Sequence, residues 1–128
     1  MSLLLDSHTF VWVHEEPRKL SQKVVAEIKN PANDLFLSVA SVWELQIKIQ
    51  IGKFKFNDTL ENIINEQQRI NGIQILPINL SHALYLKNLP LHHKDPFDRL
   101  LISQAIVENM ILVSADPKFS MYQATLLW

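Results

Sequence analysis

The stretch DPFDRLLISQAIVENMILVSADP, residues 95–117, joins a helical pattern to a short apolar run and carries three aspartates. It predicts a helix over Pro96–Glu108, because Asp95 is a typical N-cap and proline is favoured at the first helical position. The run Ile111–Val113 is too short for a helix and suits a strand buried on both faces. Asp116 follows that strand. The stretch therefore predicts a helix, a buried strand and an acid at the strand's carboxyl end.

The same alternation of elements extends along the rest of the chain. Further short apolar runs predict strands at Leu3–Leu5, Leu35–Leu37, Ile73–Leu76 and Thr125–Leu127. Apolar stripes with helical spacing predict helices at Ser21–Lys29, Ser41–Ile51, Leu60–Ile70 and Ser81–Leu86, with Gly72 as a C-cap. Strands that alternate with helices favour a mostly parallel sheet covered on both faces. We expect one compact α/β domain over residues 1–128.

Composition restricts the chemistry that this domain can use. The 128 residues are 48% hydrophobic and 20% charged, which is typical of a soluble globular protein. The chain has no cysteine, so disulfides, zinc–thiolate sites and thiol nucleophiles are excluded, and a cytoplasmic location is expected. The N-terminal MSLLLDSH predicts neither a signal peptide nor a membrane span. Because the formal net charge is −1, the whole molecule has no general attraction for nucleic acid.

Four acids lie where strands end or where the next helix begins: Asp6, Glu44, Asp98 and Asp116. Ligands of open α/β sheets bind outside the carboxyl ends of the strands, so these side chains are expected to converge at one edge. A tight group of carboxylates repels itself unless a divalent cation bridges it. Oxygen ligands suit Mg²⁺ or Mn²⁺, which support displacement reactions at phosphorus.

Three of these acids also have a structural interpretation. Glu44 could close a capping box with Ser41, Asp116 could be an N-cap, and Asp98 would be favoured by the helix dipole. Asp6 has no such alternative, since it ends an apolar strand with no cation in the residues beside it. Of the two aspartates in the opening stretch, Asp95 is the expected N-cap and Asp98 the expected metal ligand.

Four segments carry a family resemblance. LLLDSHTFVW (3–12), LSVASVWELQIKIQIGKFKF (37–56), LPLHHKDPFDRLLISQAIVENMILVSADPKF (89–119) and the closing LLW (126–128) resemble the PIN-domain family, and within it the VapC-type toxins of bacterial toxin–antitoxin pairs. The resemblance covers essentially the whole chain. It implies a single PIN domain over residues 1–128, a three-layer αβα sandwich with a mostly parallel five-stranded central sheet.

The resemblance also implies an activity and its partners. Asp6, Glu44, Asp98 and Asp116 match the four acids of a Mg²⁺- or Mn²⁺-dependent endoribonuclease that uses metal-activated water on RNA. The three aspartates would hold the metal, and Glu44 would bind a second metal or orient the water. The expected partners are single-stranded RNA, a VapB-like antitoxin whose C-terminal segment lies across the acidic groove, and a second copy of the chain.

Supporting residues are assigned with their structural alternatives. Ser7 and Ser114 match family positions where a hydroxyl orients a carboxylate or a water, but both could be ordinary polar residues at strand ends. Lys48 and Arg99 could tune the acids or touch phosphate. The remaining candidates for RNA contact are His92, His93, Lys94, Lys53 and Lys55. The two histidines could bind a transition metal, but we expect them to shape the loop or position RNA.

Four further side chains have open roles. Phe54 and Phe56, which alternate with lysines, could stack on bases or simply pack. His8 is expected on a helix near the site, and His14 at the surface.

Two other functions remain open from the residues alone. An aspartate after the first strand, such as Asp6, also begins haloacid-dehalogenase-like phosphatases and receiver domains. Those phosphatases have a second aspartate two residues later, where this chain has His8, and receivers usually have a lysine after the last strand, where this chain ends TLLW. A non-catalytic PIN-like module that binds RNA or a protein partner is the third possibility.

Overall fold

The computed structural model describes all 128 residues, and the five predicted runs form one sheet. The strands are Ser2–Leu5 (β1), Asp34–Ser38 (β2), Gln74–Leu76 (β3), Ile111–Val113 (β4) and Thr125–Leu127 (β5). Their order is β3-β2-β1-β4-β5, and every neighbouring pair is parallel. β1 is central, with Leu5 paired to Leu37 on one side and to Val113 on the other. The predicted parallel sheet is confirmed.

Six α-helices connect and flank these strands. They are Ser7–Glu15 (α1), Gln22–Lys29 (α2), Val39–Gln50 (α3), Leu60–Asn71 (α4), Leu80–Tyr85 (α5) and Pro96–Val107 (α6). Short 3₁₀ turns occupy Pro17–Lys19, Leu86–Asn88 and Pro117–Met121. The five predicted helices end within two residues of these bounds, and Gly72 is the expected left-handed C-cap of α4, with φ of 64°. For helix α1 the sequence predicts only a helical position at His8 and no bounds, because its apolar residues Phe10–Val13 are consecutive and show no helical period.

Alternation along β1 divides the core into two halves. Leu3 and Leu5 belong to a core cluster with α1, α2, α3 and α4, whereas Leu4 belongs to a second cluster with α6. All three leucines are completely buried, and each such side chain contributes roughly 1.5–3 kcal/mol through burial. Helices therefore cover both faces, which confirms the three-layer sandwich and leaves the carboxyl edge of the sheet open. None of the helices combines the length and hydrophobicity that a membrane crossing needs.

Helix α3 begins two residues earlier than predicted. The interpretation of Ser41 and Glu44 as a capping box is therefore wrong. Strand β2 runs directly into the helix, and its last residue, Ser38, is the N-cap. The Ser38 hydroxyl accepts a hydrogen bond from the amide of Ala40 (3.0 Å) and donates one to Gln104 Oε1 (2.5 Å). Ser41 lies inside the helix, and its buried hydroxyl has no hydrogen-bond partner. Glu44 is thus left free of capping.

Two serine substitutions distinguish the observed cap from the predicted one. We expect Ser38→Ala to lower the free energy of unfolding by about 1–2 kcal/mol, because it removes a cap and strands a buried amide oxygen. Ser41→Ala should change it by less than about 0.5 kcal/mol, since an unpartnered hydroxyl is lost and alanine favours helix. Urea unfolding followed by circular dichroism measures both; equal losses would contradict the observed start of α3.

Candidate metal centre

Asp6 lies at the junction between the central strand and helix α1. Its amide donates to the carbonyl of Val113 in the neighbouring strand (3.1 Å), which fixes the backbone at the sheet edge. Its Oδ1 accepts a hydrogen bond from the amide of Thr9 (2.8 Å), so Asp6 is the N-cap of α1. The expectation that Asp6 has no capping role is wrong. The cap uses one oxygen of a carboxylate that is only 5% exposed, and the other oxygen remains available for a ligand.

Glu44 reaches the same region from helix α3 and is held by two neighbours. The Ser7 hydroxyl donates to Glu44 Oε1 (2.5 Å), and the ammonium of Lys48, one helical turn further on, lies 3.3 Å from Oε2. Glu44 itself is buried. The hydroxyl and the ammonium each hold one oxygen of Glu44, so together they fix the orientation of its carboxylate.

The two aspartates of helix α6 have different surroundings, as predicted. Asp95 is the N-cap, since its Oδ1 accepts from the amides of Phe97 (2.9 Å) and Asp98 (3.3 Å). Asp98 lies within the first turn, and its Oδ2 is 2.9 Å from Nε2 of His93. Only Asp98 of the two has its carboxylate free of capping bonds.

Asp116 brings the fourth carboxylate from the end of β4. Its Oδ1 caps the following 3₁₀ turn by accepting from the amide of Lys118 (2.9 Å), and its Oδ2 lies 3.8 Å from His93 Nε2. The Ser114 hydroxyl accepts from the amide of Asp116 (3.0 Å) and so fixes the backbone that carries the acid. One potential ligand atom each from His93, Asp98 and Asp116 lies within 4.8 Å of the other two.

Electrostatics concentrate on Asp98. Burial, which is the largest cause, and repulsion by the nearby acids together raise the pKa of this carboxyl from its ordinary 3.8 to about 7; these acids are Asp95, Glu44, Asp6 and Asp116. Lys48 pairs with Glu44, and no lysine or arginine pairs with Asp6, Asp98 or Asp116. A group of oxygen donors with uncompensated negative charge fits a divalent cation such as Mg²⁺ or Mn²⁺.

Arg99 does not neutralise this charge. Its guanidinium donates to the backbone carbonyls of Pro90 (2.9 Å), His93 (3.5 Å) and Leu86 (3.4 Å). Arg99 forms no ion pair with the acids, because on the helix it turns toward the 86–93 segment, while its contact with phosphate stays a prediction. Its effect on the site is to fix the loop that carries His93.

Comparison with known proteins identifies the fold that presents these acids. The sequence model of the PIN domain matches residues 3–124. The chain belongs to the PIN-domain family. Membership in this family sets aside the phosphatase and receiver alternatives. No curated protein matches the chain by sequence.

Solved structures share this PIN fold over nearly the whole chain. VapBC2 from Rickettsia felis, bound to a promoter DNA fragment, aligns with a TM-score of 0.75 and 21% identity, covering 99% of this chain and 98% of that one. VapBC-1 from nontypeable Haemophilus influenzae aligns with a TM-score of 0.69 and 16% identity, covering 99% of this chain and 97% of that one. DNA-bound VapBC from Salmonella typhimurium aligns with a TM-score of 0.66 and 13% identity, covering 99% of this chain and 97% of that one. At these identities the comparison supports the fold.

The predicted RNA-contact residues of the PIN domain other than His93 lie in two exposed segments. His92 is exposed, with its ring 5.5 Å from that of Tyr122, and Lys94 is exposed on the same loop. Lys53 and Lys55 are exposed after the end of α3. Lys55 lines a separate depression with His14, Glu15, Glu16, Asn57 and Asp58. His92 and Lys94 therefore lie on the loop that leads to Asp95 and Asp98, whereas Lys55 lies at the separate depression.

The aromatic and remaining histidine side chains mostly serve packing. Phe56 is buried, and its ring lies edge-on to Phe54 at 4.6 Å, so Phe56 packs and is not available to stack on bases. His8 lies on α1, as expected, and lines an open depression with Asp6 and Asp116. His14 is half-buried, lines the depression that contains Lys55 and hydrogen-bonds Gln67 (3.0 Å), so it lies only partly at the surface.

His93 is the side chain that sequence reasoning placed least well. The sequence predicts that His93, like His92, shapes the loop or positions RNA, yet only 8% of its side chain is exposed, and it faces Asp98 and Asp116. The adjacent histidines differ in exposure, since His92 is exposed and His93 is buried. Only their spacing from the aspartates signalled the site, and that spacing could not tell which ring is buried.

Proposed function

We propose that this chain is a Mg²⁺- or Mn²⁺-dependent endoribonuclease and the toxin component of a toxin–antitoxin pair. The observation that carries the proposal is the convergence of four carboxylates on Asp98, whose pKa of about 7 reflects burial and unneutralised repulsion. The PIN-domain match and the likeness to VapBC structures support the same function.

Some residues of the site would bind the cation, and others fix the positions of those ligands. Asp6, Asp98 and Asp116 are the proposed ligands, and Glu44 completes the acidic group. When bound, the cation would offset the charge of the carboxylates and of an RNA phosphate, activate water and stabilise the leaving oxygen, leaving a 3′-hydroxyl and a 5′-phosphate. Caps at the first turns of α1 and α6 fix Asp6 and Asp98 before any ligand arrives.

Substrate recruitment follows from the local charge. Because the chain has a net charge of −1, the cation and a few exposed basic groups must attract RNA. Lys94 and His92 are exposed on the loop that leads to Asp95 and Asp98. We assign them contacts to the phosphate backbone, which position a strand without reading its sequence.

The proposed protein partners follow from the same surface. A groove beside the acids is lined by Ser7, Val11, Trp12, Lys19, Lys48 and Phe54. Ser7 and Lys48 both contact Glu44, so a segment lying in this groove would reach the acidic edge. We propose that a VapB-like antitoxin places its C-terminal segment there, and that the active form is a cytoplasmic homodimer.

The purified chain tests this function directly. We expect it to cleave single-stranded RNA in Mg²⁺ or Mn²⁺, with 5′-phosphate ends, and to lose at least about 90% of that activity in excess EDTA, because carboxylates alone cannot offset a phosphate's charge. Calorimetry with Mn²⁺ measures metal binding separately. Absence of both binding and cleavage would favour a non-catalytic module that binds RNA or protein, and cleavage unaffected by EDTA would contradict the proposal.

A further inference from the structure

His93 occupies an unusual position for an imidazole: it is buried inside a group of acids. Its amide donates to the Tyr122 hydroxyl (2.7 Å), and its ring lies 5.9 Å from that of Phe119. Nε2 is 2.9 Å from Asp98 Oδ2 and 3.8 Å from Asp116 Oδ2. The ring is therefore held from behind, with one nitrogen directed between two proposed metal ligands.

The other ring nitrogen determines where the proton is. Nδ1 accepts a hydrogen bond from the amide of Asp95 (3.3 Å), and an amide can only donate. In a neutral imidazole, a nitrogen that accepts carries no proton, so the proton lies on Nε2. A metal ligand needs the reverse arrangement, in which Nε2 is bare and Nδ1 donates to a carbonyl or carboxylate.

The buried Nε2 of His93 also lacks a hydrogen-bond partner. Although it is close to Asp98, the ring N–H is not aligned with the carboxylate oxygen, and the buried nitrogen has no other hydrogen-bond partner. Buried polar atoms are nearly always paired in folded proteins, so this donor indicates an acceptor that takes its final orientation when the site is filled.

We propose that His93 is a positioning residue that donates its Nε2 proton to the Asp98 carboxylate in the filled site, and that it is not a metal ligand. The proposal rests on the proposed metal-dependent function. One oxygen of Asp98 would accept from His93, which leaves the other oxygen for a divalent cation. The donors offered to the cation would then all be oxygens, the ligands that Mg²⁺ prefers.

Nuclear magnetic resonance of the imidazole nitrogens tests the proton's position without any assay of activity. We expect His93 Nδ1 to resonate as a bare nitrogen and Nε2 as a protonated one, both before and after Mg²⁺ is added. Mg²⁺ should move the Nε2 proton downfield, as a stronger hydrogen bond does, and Asp98→Asn should abolish that movement. A proton on Nδ1, or loss of the Nε2 proton on adding Mg²⁺, would overturn the proposal.

Two variants at His93 separate positioning from packing. His93→Leu fills the space but has no N–H, and we expect kcat on RNA to fall about 10–100-fold with KM little changed, the usual loss for a partner of a metal ligand. His93→Gln returns an N–H at similar reach and should recover most of that loss. Tyr122→Phe is the control, because it removes the hydroxyl that anchors the loop and leaves the ring in place.

The outcomes distinguish this proposal from the function on which it rests. If Tyr122→Phe loses as much kcat as His93→Leu, or if His93→Gln is no better than His93→Leu, His93 acts through loop packing and the proposal is wrong. If the wild-type chain cleaves no RNA in Mg²⁺, the proposed function fails, while the proton's position on His93 is still read by resonance. Thermal unfolding shows whether each variant is folded.

Discussion

Asp98→Asn is expected to lower metal-dependent RNA cleavage by more than about a hundredfold and to remove growth inhibition when the chain is expressed. The amide has no charge to bind the cation, and the other acids converge on this position. Replacing a residue that hydrogen-bonds a metal ligand already lowers activity about 10–100-fold, so replacing the ligand itself should lower it more. Initial rates on a single-stranded RNA, measured against the wild type from the same purification, give the value.

Asp95→Asn is the matched control for that experiment. Asparagine caps helices about as well as aspartate, so the start of α6 should be preserved. We expect a loss of less than about tenfold, because Asp95 uses its oxygen for capping. If Asp95→Asn proves more damaging than Asp98→Asn, the motif would have been assigned one turn out of register.

The same Asp98→Asn substitution is expected to stabilise the metal-free protein at neutral pH. Burial and the surrounding acids raise the pKa of Asp98 to about 7, so the folded state holds a proton that the unfolded state releases near pH 4. Stability therefore falls as pH rises from about 4 to about 7 and changes little above that. A difference of about three pKa units corresponds to about 4 kcal/mol, so we expect a gain of about 2–4 kcal/mol at pH 8.

Urea unfolding in EDTA at pH 4, 6 and 8 measures this effect. The quantity to compare is the free energy of unfolding of Asp98→Asn minus that of the wild type, because the pH-dependent contributions of the other carboxylates cancel in this difference. The difference should be near zero at pH 4 and largest at pH 8, and saturating Mg²⁺ should reduce it by stabilising only the wild type. A difference that stays constant with pH would show that Asp98 has an ordinary pKa.

Much of the fold could be predicted because buried parallel strands leave a strong pattern. Runs such as Leu3–Leu5 and Ile111–Val113 are continuous and too short for helices, and Asp95 followed by proline marks the start of α6. The bounds of helix α1 escaped prediction because its consecutive apolar residues contact both the sheet and α3, which removes the helical period. The start of α3 was missed because Ser38 ends a strand and caps a helix at once.

The sequence by itself determined which acids follow the strands, and parallel strands bring such residues to one edge whatever their separation along the chain. It also determined that Asp95 would cap and Asp98 would not, since helix geometry depends only on local spacing. The tertiary structure decided which side chains neutralise, orient or repel those acids. Arg99 turns to the loop and His93 turns into the acids because burial and hydrogen bonding depend on segments distant in sequence. The local sequence pattern does not predict the directions of these two side chains, because packing against distant segments fixes them.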